Sequence, residues 1–248
     1  MTESIKEYRR QVLATYPVEF TIYNDIAGPL EDAIRLPRRH RTLVHLVLDM
    51  FMIQGLKSHA TVSLLAQHGL MEDAATIARR LLELSVQAVY IGAESVERER
   101  LRRAGKYLAY LWRQLTPTLK KRLPPGIRKN WTDWARRYGR FVPLRAKRWG
   151  PDFRTMFREV GSEDLYLTDY AFLSSMAHGA ADSQVFQYSV RRVRIHRHDF
   201  VPILLVYSSR YYMVIAEQWN RVFGMLSDDT FTRLTKRVTE WRRGKGAA

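Results

Sequence analysis

Arg79 and Glu83, one helical turn apart, and Tyr170, Ser174 and His178, spaced by fours, are the residues whose types and spacing suit chemistry in this chain. An imidazole titrates near neutrality and can move a proton, a guanidinium can hold an oxyanion, and a carboxylate can fix the orientation of either. Such a set suits work on a phosphate. The chain has no cysteine, so disulfides and thiolate zinc sites are excluded, and any metal would need His and carboxylates. No cofactor and no metal is expected, and His40, His45, His59 and His68 show no ligand spacing and read as incidental.

These residues need two helices to position them. Projected at 100° per residue, 72–91 spreads Ile77, Ala78, Leu81, Leu82 and Leu84 with their apolar neighbours over an arc of roughly 220°. The remaining polar strip carries Thr76, Arg79, Arg80, Glu83, Gln87 and Tyr90, with Arg79 nearest the apolar edge and able to pair with Glu83. On the helix that follows Ser162, Tyr170, Ser174 and His178 fall within about 80° of one another, beside Leu167 and Ala171. If the two helices meet, the five polar groups share one small cavity. Packing roles stay open beside the chemical ones: a pair that fixes helix packing for Arg79 and Glu83, a satisfied core imidazole for His178.

The remaining elements follow from the apolar spacing, which is helical nearly throughout 248 residues and predicts an all-α fold, a helical bundle formed as a single domain over 1–248. Hydrophobic residues make up 46% of the chain, enough to bury a core. A first helix is expected over 3–14, then an irregular stretch through Pro17, Gly28, Pro29 and Pro37 with room for one short helix. Long helices follow over 40–67, closed by Gly69, over 72–91, closed by Gly92, and from an N-cap at Ser95 to Leu115. These three should pack antiparallel. Ser162 should cap a helix to Ala177, Pro202 should start one that ends at Gly224, and Ser227 should cap the last. Between them, 179–198 reads as irregular or as a short hairpin. The most apolar runs, 45–53 and 200–207, fall far short of the roughly 20 residues that span a bilayer, so no transmembrane segment is expected. The first residues carry charges throughout and do not read as a secretory signal, so the expected location is cytoplasmic.

Charge is unevenly spread. Lys and Arg number 41 against 25 Asp and Glu, a net +16. Within 120–149 stand Lys120, Lys121, Arg122, Arg128, Lys129, Arg136, Arg137, Arg140, Arg145, Lys147 and Arg148, opposed by Asp133 alone. This region lies in a proline-rich subregion, 116–161, that reads as a basic insertion into the bundle. Its interleaved Trp131, Trp134, Tyr138, Phe141 and Trp149 supply stacking surfaces beside the charge, a combination that suits nucleic acid. An anionic membrane, an acidic partner or a plain solvated face remain alternatives, and Trp131 and Trp134 also read as an anchor onto the bundle.

A resemblance adds to this. Lys57, Leu64, Leu65, Gly69 and Ala74, the run 79–83 of Arg-Arg-Leu-Leu-Glu, then Tyr90 and Ile91, resemble a bacterial helical family known as the domain of unknown function five-six-seven-seven. The run 170–178, a Tyr followed by Leu-Ser and a His, resembles its second motif. That family is discussed beside HEPN-like proteins, helical bundles that include metal-independent ribonucleases of toxin and phage-defence systems. The resemblance thus implies an RNA cleaver using Arg79, Glu83, Tyr170, Ser174 and His178. HEPN ribonucleases carry Arg, four to six residues, then His on one helix, whereas here the motif Arg and His are on different helices. Literal matches, Arg191 to His196 and Arg192 to His198, sit in the basic repeat of 190–198. Two functional classes therefore stand, a ribonuclease-like effector and a non-catalytic module that binds nucleic acid or a protein partner through its basic surface. Homo-oligomerisation is open in both.

Overall fold

Three long helices, α3 (Leu43–Gln67), α4 (Met71–Gly92) and α11 (Val201–Phe223), pack on one another and form the centre of the molecule. A computed structural model describes residues 5–143, 145, 147–178, 188–189, 192–193 and 200–242. Among them the fold is all-α, as the periodicity predicts, with one two-residue antiparallel ladder, β1 (Tyr188–Ser189) with β2 (Arg192–Val193). No described helix is long and apolar enough to cross a membrane.

The turn between α3 and α4 depends on Gly69, whose φ of 70° lies in the left-handed region and whose missing Cβ leaves room for the Tyr8 ring. Because the connection is short, the two helices run antiparallel. Opposite them α11 starts with Pro202 in its first turn and stops at Gly224, also left-handed, as the sequence indicates. It buries Leu204, Tyr211, Tyr212, Ile215 and Trp219 against α3 and α4. The final helix, α12 (Asp228–Arg242), is capped by the Ser227 hydroxyl, which accepts from Thr230 N at 3.3 Å.

The irregular stretch expected before α3 is instead mostly helix. After α1 (Ile5–Thr15), α2 runs over Pro17–Arg35 with Pro17 in its first turn and Pro29 inside. An interior proline costs about 3 kcal/mol. Phe20, Ile22, Ile26 and Leu30 are all buried on one face, and each such side chain returns about 1.5–3 kcal/mol, so the face outweighs the proline.

Two histidines that read as incidental have structural duties. His40 Nε2, Arg38 and Trp219 Nε1 all reach the buried Asp49, the imidazole and indole each at 3.0 Å, which ties the connector 36–42 to α3 and α11. Burial alone would raise the Asp49 carboxyl; these hydrogen bonds prevail and hold it below its usual range. His59 lies fully buried between the Tyr23 and Tyr212 rings, with Nε2 3.0 Å from Ser209 Oγ, and burial pushes its imidazole down to about 3.

The helices of the basic region stack outward from the centre. α5 (Glu97–Gln114) packs on α3 and α4, and after the short α6 (Pro117–Arg122) the chain turns back as α7 (Pro125–Gly139) along α5. The Tyr138 ring lies directly against Gly105, where a methyl group would overlap it. Ser95 does not cap α5; Val96 takes the N-cap position, with its N–H given to Glu94 Oε1 at 3.0 Å.

The polar ladder lies on the next stretch. α8 (Phe153–Glu159), capped by Asp152, and the short α9 (Glu163–Leu165) lead through a π turn, Tyr166–Tyr170, into α10 (Ala171–Ala177). Ser162 stands at the N-cap of α9 but makes no side-chain capping bond. Both α8 and α10 pack against α4.

Candidate functional site

The packing of α10 on α4 brings the two polar ladders of the sequence face to face. Arg79 Nη1 lies 3.0 Å from His178 Nε2, across 99 positions of sequence, and Arg79 Nε lies 3.8 Å from Glu83 Oε1. Arginine only donates, so in this contact His178 Nε2 is the acceptor. Above them the Arg79 guanidinium stands 6.0 Å from the Tyr170 ring centre, at the outer reach of a cation–π contact. The Tyr170 hydroxyl donates to Glu83. Ser174 Oγ is enclosed and joined to none of the four.

Both members of the α4 pair are partly covered, with side chains 24% and 21% exposed, while His178 at the end of α10 is exposed. Burial pushes the Glu83 carboxyl up against the opposing pull of Arg79, the Tyr170 hydroxyl and Arg80. Burial, then the Glu83 charge, also raises the Tyr170 phenol, so it keeps its proton. The result is a cation, a proton acceptor and a hydrogen-bonded carboxyl at the edge of the bundle.

The backing of this cluster includes residues that sequence reasoning passed over. Tyr166 stacks on Tyr170 at 5.0 Å, and Phe157 of α8 packs on both rings. The four-residue spacing of the two tyrosines was the available signal. Asp169, buried inside the π turn, accepts from Arg210 Nη1 at 3.1 Å and from Tyr211 Oη at 3.0 Å, which clamps the turn to α11. π turns often occur at functional sites because they re-aim the side chains beside them. Farther along α4, Tyr90 is buried rather than part of the polar strip, with the Arg103 guanidinium 3.8 Å over its ring.

Of the eleven basic residues singled out in 120–149, all but the half-buried Lys120 are exposed; Lys120 Nζ lies over the Trp112 ring at 5.1 Å. The aromatic residues among them do not form one continuous exposed stacking surface, although Trp134 and Tyr138 are only half-buried. Trp131 and Trp134 pack against the core, and Trp149 is buried against Tyr90 and Tyr107. Trp149 Nε1 donates to Gln87 Oε1 at 2.8 Å, one turn of α4 beyond Glu83, so the exposed Lys147 and Arg148 enter the chain just before a residue docked beside the cluster. Phe141 alone of the five is exposed.

Among the described residues no three His, Asp or Glu side chains gather in a way that could hold a metal ion. The literal Arg-to-His spacings near residue 191 fall in 190–198, where only the backbone of Arg192 and Val193 is described.

A family model described as a Family of unknown function (DUF5677) matches residues 45–188, more than half of the chain. The matched stretch runs from α3 into β1 and contains the five ladder residues and the eleven basic ones. Comparisons with curated proteins and with solved structures found no match.

Proposed function

The chain belongs to this family of unknown function, and from that premise we propose that it is a HEPN-like, metal-independent endoribonuclease in which Arg79 and His178 act on the phosphodiester. The 3.0 Å contact between Arg79 Nη1 and His178 Nε2 carries the reading. A guanidinium that stabilised only the fold would gain most from carboxylates. Here it spends a donor on an imidazole nitrogen at an exposed helix end, which sets an oxyanion holder beside a proton acceptor.

A substrate phosphate takes over the Arg79 donors that reach His178, and Nε2 is then free. The 2′-hydroxyl proton passes to Nε2, the 2′-oxygen bonds to phosphorus, the P–O5′ bond breaks, and water protonates the leaving oxygen. Arg79 stabilises charge on the phosphoryl oxygens. Glu83, held by the Tyr170 hydroxyl, keeps the guanidinium in place, and the basic residues of 120–149 draw in the polyanion. Such an activity suits an RNA-directed effector of a toxin or phage-defence system.

Incubation of purified protein with single-stranded RNA in chelator tests this, beside the same sequence in 2′-deoxy form. RNA should be cut to 2′,3′-cyclic phosphate ends and the deoxy strand left whole, and His178→Ala should lose about 10²–10⁴ in rate with fold and RNA binding intact. Cleavage of the deoxy strand, or full activity in His178→Ala, would remove this mechanism. Binding with no cleavage of any RNA would favour a non-catalytic module, a reading supported by the exposure of the basic residues.

A further inference from the structure

The connector 36–42 carries cations that the proposed chemistry does not use. Arg38, Arg39, Arg41 and His45 line, with Phe223, a hollow of about 470 Å³. Arg41 also lines a second hollow of about 390 Å³, shared with His40 and with Trp134, Arg137 and Tyr138 of α7. Arg41 lines both hollows. Each is within the roughly 300–1,000 Å³ typical of ligand sites.

Neither hollow has a carboxylate in its lining. Asp49 answers Arg38 and His40, but among the described residues no acid pairs with Arg39, Arg41 or Arg137. Burial, followed by the charges of Arg41, His40 and Arg100, pushes the His45 imidazole down, in keeping with the cations gathered at this place. Arg39, Arg41 and Arg137 are exposed, so the groove presents positive charge, unanswered by any carboxylate in its lining, that an anion from solvent can reach. Its rings narrow the choice of anion. The half-buried Phe223 flanks the arginines of the first hollow, and the half-buried Trp134 and Tyr138 flank Arg41 and Arg137 in the second. Cations interleaved with aromatic faces hold a phosphate backbone and its bases together.

We propose that this groove binds single-stranded nucleic acid, with Arg39, Arg41 and Arg137 on the phosphates and Phe223, Trp134 and Tyr138 against the bases. Arg39, Arg41 and Phe223 lie outside both the basic segment and the stretch matched by the family model. The inference is independent of cleavage at His178.

Binding of a labelled oligodeoxythymidylate, which lacks the 2′-hydroxyl, separates this proposal from the ribonuclease reading. Affinity should be measured by anisotropy over a range of salt for the full chain, for Arg39→Glu with Arg41→Glu, and for Lys6→Glu with Lys57→Glu. The control pair changes net charge equally at exposed positions, and Lys57 lies about 21 Å along α3 from Leu43, where the connector ends. The groove pair should weaken binding at least tenfold beyond the control, and the slope of log affinity against log salt should shrink by about 0.7 for each phosphate that is no longer neutralised. Trp134→Leu should lower affinity with the slope unchanged, and circular dichroism should match the parent in each variant. Equal losses in the groove and control pairs, tighter binding of duplex than of single strand, or binding only to phosphatidylserine vesicles would each overturn the proposal.

Discussion

Arg79 divides its donors between unlike partners, a carboxylate at 3.8 Å and an imidazole at 3.0 Å, and Glu83 is the one whose protonation state this arrangement strains. Burial holds the Glu83 carboxyl above its ordinary range in spite of Arg79. Its folded pKa therefore exceeds the unfolded value of about 4.3. The stability that goes with the protonated form is fully present below about 4.3 and is lost as pH rises through the folded value. Glu83→Gln imitates the protonated form, so in urea unfolding its stability relative to the parent should improve from pH 4 to pH 7; an unchanged difference would mean that the carboxyl is not strained. At this scale much was legible in the sequence. A four-residue spacing on each of two helices, each with a polar strip beside packing residues, made Arg79, Glu83, Tyr170 and His178 neighbours on the condition that the two helices meet, and the packing of α10 on α4 meets it. Ser174 lies on the same ladder, yet its hydroxyl is closed off, and Trp149 turns inward onto Gln87. Both outcomes depend on which helix covers a residue, which spacing along one helix does not encode.

Among the elements, the long apolar helices follow the expected limits because their stops are chemical: Gly69 and Gly224 take the left-handed conformation and Pro202 occupies a first turn. Misread elements were those where tertiary packing overrules a local signal. Pro29 reads as a breaker but sits in a helix whose buried face holds it, and Ser95 and Ser162 read as caps but make no capping bond. Nor does spacing reveal the π turn at Tyr166–Tyr170, since its extra residue is fixed by the Asp169 contacts to α11. The docking of α7 on α5 through Gly105 gives a direct test. Gly105→Ala would force the Tyr138 ring away, so protease cleavage within 117–139 should become faster while the α3, α4 and α11 core keeps its thermal transition. Equal cleavage of the two proteins would show that the helix pair adapts without cost.

Over the whole molecule, charge and chemistry are placed on different helices of one bundle: the cluster on α4 and α10, most of the excess positive charge along 120–149. Sequence composition made the excess plain, but not the second set of cations at the connector 36–42, which only the fold sets beside α7. If the basic segment serves a polyanion, reversing Arg136, Arg137 and Arg140 to Glu should sharply reduce retention on heparin and RNA, with a steep salt dependence in the parent. Unchanged retention would reduce that charge to a solvated face. The central claim is that Arg79 and His178 act as one unit on RNA, and the most direct measurement is the single-turnover cleavage rate of Arg79→Ala, His178→Ala and the double variant. Residues that act as a unit are not additive. The account predicts that each single variant loses about 10²–10⁴ and that the double variant is no slower than the slower single one; losses that multiply, or a single variant at the parent rate, would contradict it.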